Sequence, residues 1–285
     1  MAVKHETDLY PPIKAYFASR GYEVRAEVRG CDLVALRPDE EMPVIVEMKK
    51  TFTLPLLLQG VDRQRTGAAV WLAVERNRTK KGAHNQRFPE LAALCGRLGL
   101  GLMTVTFYKT KEPVIEVWRE PAAVSGRAYA LSAGAAGSGV AEAAEAAYAA
   151  GYAASAGGRK RAGAKPLLRE FAARSGDYNV GGSTGRKLVT AYRERAIQCA
   201  LALGCRGPLA PREIQALTGV PNAGGLLRDN HYGWFRKPGR GLYELTREGR
   251  LGLREFAEVT AVWAAKLEWA SGWEERIQGG EEEAR

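Results

Sequence analysis

The chain has 285 residues, 46% of them hydrophobic, and 42 Lys and Arg against 32 Asp and Glu. It is long enough for two domains, and its net charge of +10 makes a polyanionic partner one to look for. Cys31, Cys95, Cys199 and Cys205 form no CxxC pair and suggest neither a zinc knuckle nor a disulfide framework, and no run nears the ~18 apolar residues of a membrane span, so the expectation is a cytoplasmic protein with no membrane partner.

Residues 1–120 read as alternating helix and strand. Leu9, Ile13 and Phe17 are spaced to share one helix face, although Pro11-Pro12 must kink or restart that helix, and Gly21 ends it. Tyr22–Val28 alternates as a strand does, and Asp32–Leu36 and Val44–Met48 are short apolar runs on either side of Pro38–Pro43. Ala68–Val74 and Leu100–Phe107 predict two more strands with a helix over Pro89–Leu98 between them, and Val114–Trp118 an edge strand. From Pro121 to Lys165 the chain turns to Ala and Gly, predicting a flexible linker with an Ala-rich helix at Val140–Ala150 and a basic run at Arg159–Arg161. The rest is mainly helical. Residues 166–254 carry 15 Lys and Arg against 7 Asp and Glu, and the remainder, ending in the acidic Glu281–Glu283, carries 3 against 8. The predicted domains are 1–120, a linker at 121–165, a second domain at 166–265 and a tail at 266–285.

The segment CDLVALRPDEEMPVIVEMKK, Cys31 to Lys50, holds the chemistry. A hairpin turning near Glu40 makes facing residue numbers sum to about 81, which puts Asp32 opposite Lys49 and Glu47 one pleat away on the same side. Like charges gathered at a sheet end need neutralising, and a divalent cation on Asp32 and Glu47 would do it. Hard oxygen ligands suit Mg²⁺ or Mn²⁺, which can acidify a bound water, while Lys49 orients that water or stabilises transition-state charge. The plain alternative is a solvent-facing salt bridge between Asp32 and Lys49.

This arrangement resembles the PD-(D/E)XK nuclease superfamily: an acid on the first helix, Asp on a hairpin, Glu-x-Lys on the next strand, then a helix. The resemblance implies a restriction-endonuclease-like α/β mixed-sheet core. It also implies Glu6 as a third carboxylate for the metal, and Gln59, in LPLLLQGVDRQ, as a residue that positions water, with Asp62 and Arg63 one turn on. Glu27, in AEVRGCD, is a further candidate. Cys31 stands where the superfamily's name has Pro. His5 and His84 read as surface residues. The longer segments ETDLYPPIKAYFASRGYEV, CDLVAL…VEMK, LGLGLMTV and GDYNVGGS…TAYRERA…NHYGWF are similar to one bacterial family assigned as PD-(D/E)XK phosphodiesterases. That similarity covers nearly the whole chain outside the linker and brings no substrate with it.

The C-terminal half reads as a winged helix. Leu188–Leu203, Pro211–Thr218 (ended by Gly219) and Ala223–Asn230 are three helices. Trp234–Lys237 and Leu242–Leu245 form a two-stranded wing around Pro238-Gly239-Arg240-Gly241, and Thr246 caps a last helix. Arg228, Asn230 and His231 suit a major groove, and Arg236, Lys237 and Arg240 suit phosphates, with Trp234 and Phe235 as wing core. A protein-docking module is the alternative, which keeps a homodimer among the partners. GDYNVGGST, Gly176–Thr184, is a Gly-rich stretch before a helix that could bind phosphate through backbone N–H groups, but it matches no P-loop and reads rather as a structural turn. The combined reading is a Mg²⁺- or Mn²⁺-dependent endonuclease on double-stranded DNA. Its rivals are a catalytically silent DNA-binding regulator and an RNA-directed nuclease.

Overall fold

Leu9, Ile13 and Phe17 are all buried, and they seat the first helix on one face of a sheet. In the computed structural model, which describes residues 3–40, 42–77, 87–122, 163–183 and 185–279, the two prolines do restart the chain. A 3₁₀ turn over Glu6–Leu9, held by Asp8 accepting from the Lys4 and His5 amides, gives way to α1 at Tyr10–Ala18. The predicted linker helix, the basic run at 159–161, His84 and the acidic 281–283 lie outside the described residues.

Six strands follow: β1 (Glu23–Val28), β2 (Cys31–Leu36), β3 (Val44–Lys49), β4 (Ala69–Glu75), β5 (Gly101–Thr106) and β6 (Val114–Arg119). They lie side by side in chain order; β3, β4 and β5 run parallel and the remaining pairs antiparallel. The parallel steps need crossovers, supplied by α2 (Leu54–Arg63) and α3 (Phe88–Arg97). Helix α2 lies close to the sheet because of Gly60: a Cβ there would meet Leu72 Cδ2 at 2.7 Å. Helix α1 covers the opposite face, its Ile13 and Phe17 in one cluster with Leu33, Val46 and Met48. A mixed six-stranded sheet with a helix on each face fits a PD-(D/E)XK-like core.

The expected hairpin register needs correction. Leu33 pairs with Val46 and Ala35 with Val44, so facing numbers sum two lower than expected and Asp32 stands level with Glu47 rather than Lys49. A slip of two residues keeps every side chain on its face, so the acids still share one side.

The chain divides into two units. Unit 1 is Met1–Arg169 together with Val180–Thr184; unit 2 is Glu170–Asn179 with Gly185–Arg285. Helix α4 (Lys165–Ala173) runs across the boundary at Arg169 and Glu170, and unit 2 continues with α5 (Ala191–Arg206), α6 (Pro211–Thr218), α7 (Ala223–Asp229), the short strands β7 (Phe235–Arg236) and β8 (Glu244–Leu245), α8 (Arg247–Glu255), α9 (Ala257–Lys266) and α10 (Trp273–Gly279). Thr190 and Thr246 cap α5 and α8 through their hydroxyls. The single last helix expected after Thr246 is two, broken at Phe256. Helix α5 is the core of this unit, with Ile197, Cys199, Ala200, Leu201 and Ala202 fully buried. Glu194, also fully buried, is satisfied by the Ser175 amide at 2.9 Å and the Trp263 indole at 2.9 Å. Among the described residues no helix is long and apolar enough to cross a membrane.

Candidate active site

Strands β1, β2 and β3 bring Glu27, Asp32 and Glu47 to one cross-strand row. Val28 pairs with Cys31 and Ala26 with Leu33, so Glu27 falls opposite Asp32, and the β2–β3 register adds Glu47. Glu27 has φ of 53°, a left-handed conformation that is unfavourable for a side chain of this size and takes it out of the regular ladder.

Asp32 Oδ2 accepts the Met48 amide at 2.8 Å, which orients the carboxylate toward β3. Burial raises its pKa above the usual range, opposed first by that amide bond and then by the Lys49 charge. Glu47 is only 1% exposed, and burial reinforced by the neighbouring Asp32 charge pushes its carboxyl up to about 7. Arg63 opposes this, its Nε donating to Glu47 Oε1 at 2.6 Å while its Nη2 donates to the Gly30 carbonyl. Lys49 Nζ donates to Glu6 Oε2 at 2.9 Å, and that bond raises the lysine's pKa. Burial pushes the Cys31 thiol up to about 12, so the residue next to Asp32 is chemically inert.

The expected residues therefore fall into different roles. Asp32, Glu47 and Lys49 come together, but Lys49 is held by Glu6 rather than facing Asp32, and Glu6 pairs with the ammonium instead of completing a carboxylate trio. Among the described residues no three His, Cys, Asp or Glu side chains are grouped closely enough to hold a metal between them. Two carboxylates suffice for a hard cation that keeps water or substrate oxygens in its other positions. Asp32 and Glu47 fit such an ion: Glu47 is buried and Asp32 half-buried, both carboxyls are pushed toward protonation, and each carries a second oxygen beyond its hydrogen-bonded one.

Gln59 is exposed, and the side chain of α2 that reaches Glu47 is Arg63, four residues further along the same face. Its signal was legible: Leu56, Gly60 and Arg63 recur at helical spacing, and the first two pack inward. Gly181–Ser183, inside the stretch read as a structural turn, lies against Asp32 and Glu6 and donates the Ser183 amide to Glu27, a contact the sequence reading did not foresee. A contact spanning 156 residues has no local signature.

In unit 2, Arg228, His231, Arg236, Lys237 and Arg240 are exposed. Arg228 pairs with Asp229 at 3.4 Å and Arg236 with Glu244. Asn230 is otherwise engaged: its amide donates to the Phe235 carbonyl at 2.7 Å and accepts the Phe235 N–H at 3.2 Å, closing the turn before β7. Trp234 and Phe235 are buried in the core of this unit.

No curated protein and no solved structure matches the chain. A family model does match residues 140–252, a stretch that contains Gly181–Ser183 and most of unit 2 but none of Asp32, Glu47 or Lys49. That family is described as "Putative PD-(D/E)XK phosphodiesterase (DUF2161)", so two separate parts of the chain, the Asp32…Glu47-x-Lys49 pattern and the matched C-terminal stretch, point to the same PD-(D/E)XK phosphodiesterases.

Proposed function

We propose that the protein is a Mg²⁺- or Mn²⁺-dependent endonuclease that hydrolyses phosphodiester bonds in double-stranded DNA. The observation that carries this reading is the sheet end where half-buried Asp32 and buried Glu47 stand level across two strands, with Lys49 two residues beyond Glu47 on the same face. Buried like charges this close favour a cation between them. Asp32 and Glu47 would hold the ion, which when bound would supply Lewis acidity and an acidified water. Arg63 holds Glu47 from the side, Met48 N–H holds Asp32, and Glu6 keeps Lys49 protonated and extended beside the carboxylates. Lys49 is then placed to stabilise charge on the phosphoryl group during attack.

The second unit supports a nucleic-acid substrate through its local excess of Lys and Arg. Helices α5 to α7 followed by the β7–β8 ribbon have the order of a winged helix, and Arg228, Arg236, Lys237 and Arg240 are exposed on its third helix and its ribbon.

Lys49→Ala separates this reading from a DNA-binding regulator. Both carboxylates remain, so Mn²⁺ and DNA binding should persist while cleavage falls by about 10²–10³, the usual cost of one preorganised electrostatic contact. Equal cleavage by wild type and variant would assign the activity to another site. No cleavage of duplex DNA, single-stranded DNA or RNA by wild type under either metal would leave the regulator.

A further inference from the structure

Three observations converge on Gly181, Gly182 and Ser183, a segment of unit 1 that follows β6 by some sixty residues in sequence. A Cβ at Gly181 would lie 2.4 Å from the Asp32 carbonyl oxygen, 2.6 Å from Met48 Cε and 2.8 Å from the Tyr10 ring, so only glycine permits the chain to come this near. Gly182 has φ of +73°, and its missing side chain faces Glu6. The Ser183 N–H donates to Glu27 Oε1 at 3.1 Å, and the Ser183 hydroxyl is shielded from solvent with no hydrogen-bond partner among the described residues. One short loop thus touches three acids of the cleft, and it does so beside the residue whose backbone is in the left-handed region.

A left-handed glutamate is strained and persists only where its surroundings hold it. Glu27 needs a fixed donor to stay in the row with Asp32 and Glu47, and the Ser183 amide supplies one. We infer that Gly181–Ser183 is a positioning element of the phosphodiester-cleaving site, in which the Ser183 amide fixes the Glu27 carboxylate beside Asp32 for contact with the hydrated reacting centre.

This inference rests on the phosphodiesterase reading, and its test uses the full chain with two readouts. Amide exchange reports the contact without any activity. The Ser183 amide should be protected by about 100-fold or more in wild type, should lose that protection in Glu27→Ala, and should keep most of it in Glu27→Gln, whose amide oxygen still accepts. Cleavage of a labelled linear duplex with Mn²⁺ reports the role. Gly181→Ala, which must displace the loop from Asp32, should lower kcat by about 10–100-fold with KM changed little, since sub-ångström misplacement acts on the transition state. A Ser183 amide exchanging at the free-chain rate in wild type, or Gly181→Ala cleaving at the wild-type rate, overturns the inference. A protected amide in a wild type that cuts no nucleic acid sinks the phosphodiesterase reading, and the positioning role with it, while leaving the contact established.

Discussion

Glu47 stands level with Asp32 across two strands, and burial reinforced by the Asp32 charge raises its carboxyl. Because its carboxyl is raised from an ordinary 4.5 to about 7 in the folded chain, the folded state binds its proton more tightly than the unfolded state does. Its contribution to stability is therefore complete below pH ~4.5, is lost as pH rises to ~7, and stays lost above that. Glu47→Gln, which keeps the acceptor for Arg63 without the charge, should match wild type near pH 4 and be more stable by about 1–3 kcal/mol at pH 8 without metal. Denaturant melts at the two pH values check this, and a variant less stable than wild type at pH 8 would show that the Arg63 pair outweighs burial. Mn²⁺ should reverse the order at pH 8, since an ion between Asp32 and Glu47 stabilises the ionised wild type alone.

At the scale of elements, glycines decide how closely pieces approach. Helix α8 presents Gly249 and Gly252 to Trp234, where a Cβ at Gly252 would sit 2.3 Å from Trp234 Cζ2. Gly252→Ala should therefore destabilise the protein by about 1–3 kcal/mol in spite of alanine's better helix propensity, because the buried indole must move. A variant as stable as wild type by thermal melting would show that Trp234 has room to shift. The same scale explains what could be read from sequence. Strands β1 to β6 follow their apolar runs within a residue or two, because alternation and turn residues are local signals. The β2–β3 register was misjudged by two because the turn from Arg37 to Pro43 offered no Asn-Gly or Gly-Gly pair to fix its centre. Asp32 and Glu47 were legible as acids at the end of apolar strands. Arg63 was passed over for Gln59, though both lie on one helix face. Nothing near Glu27 in sequence announces Ser183, since tertiary contacts between distant loops leave no periodicity.

For the whole molecule, charge is distributed so that most of its excess lies in residues 166–254, away in sequence from the acids of β1 to β3. If Arg228, Arg236, Lys237 and Arg240 contact phosphates, replacing all four by Ala in a Lys49→Ala background should flatten the dependence of log Kd on log salt by about 3–4, near 0.9 for each phosphate no longer neutralised. Filter binding of a duplex between 50 and 200 mM salt measures the slope; an unchanged slope would move the phosphate contacts elsewhere in the chain. Unit 1 also has an unusual order of assembly. Ser183 follows Glu27 by 156 residues, and all six strands precede it. On a ribosome adding about 5–20 residues per second, the sheet is complete several seconds before the loop exists. Closing so long a connection also adds entropy cost that only the finished contact repays. A nascent chain whose six strands are already made would still lack the Ser183 amide that the Glu27 carboxylate accepts. Distance along the sequence thus becomes a delay in time between the last strand of the sheet and the loop that meets Glu27.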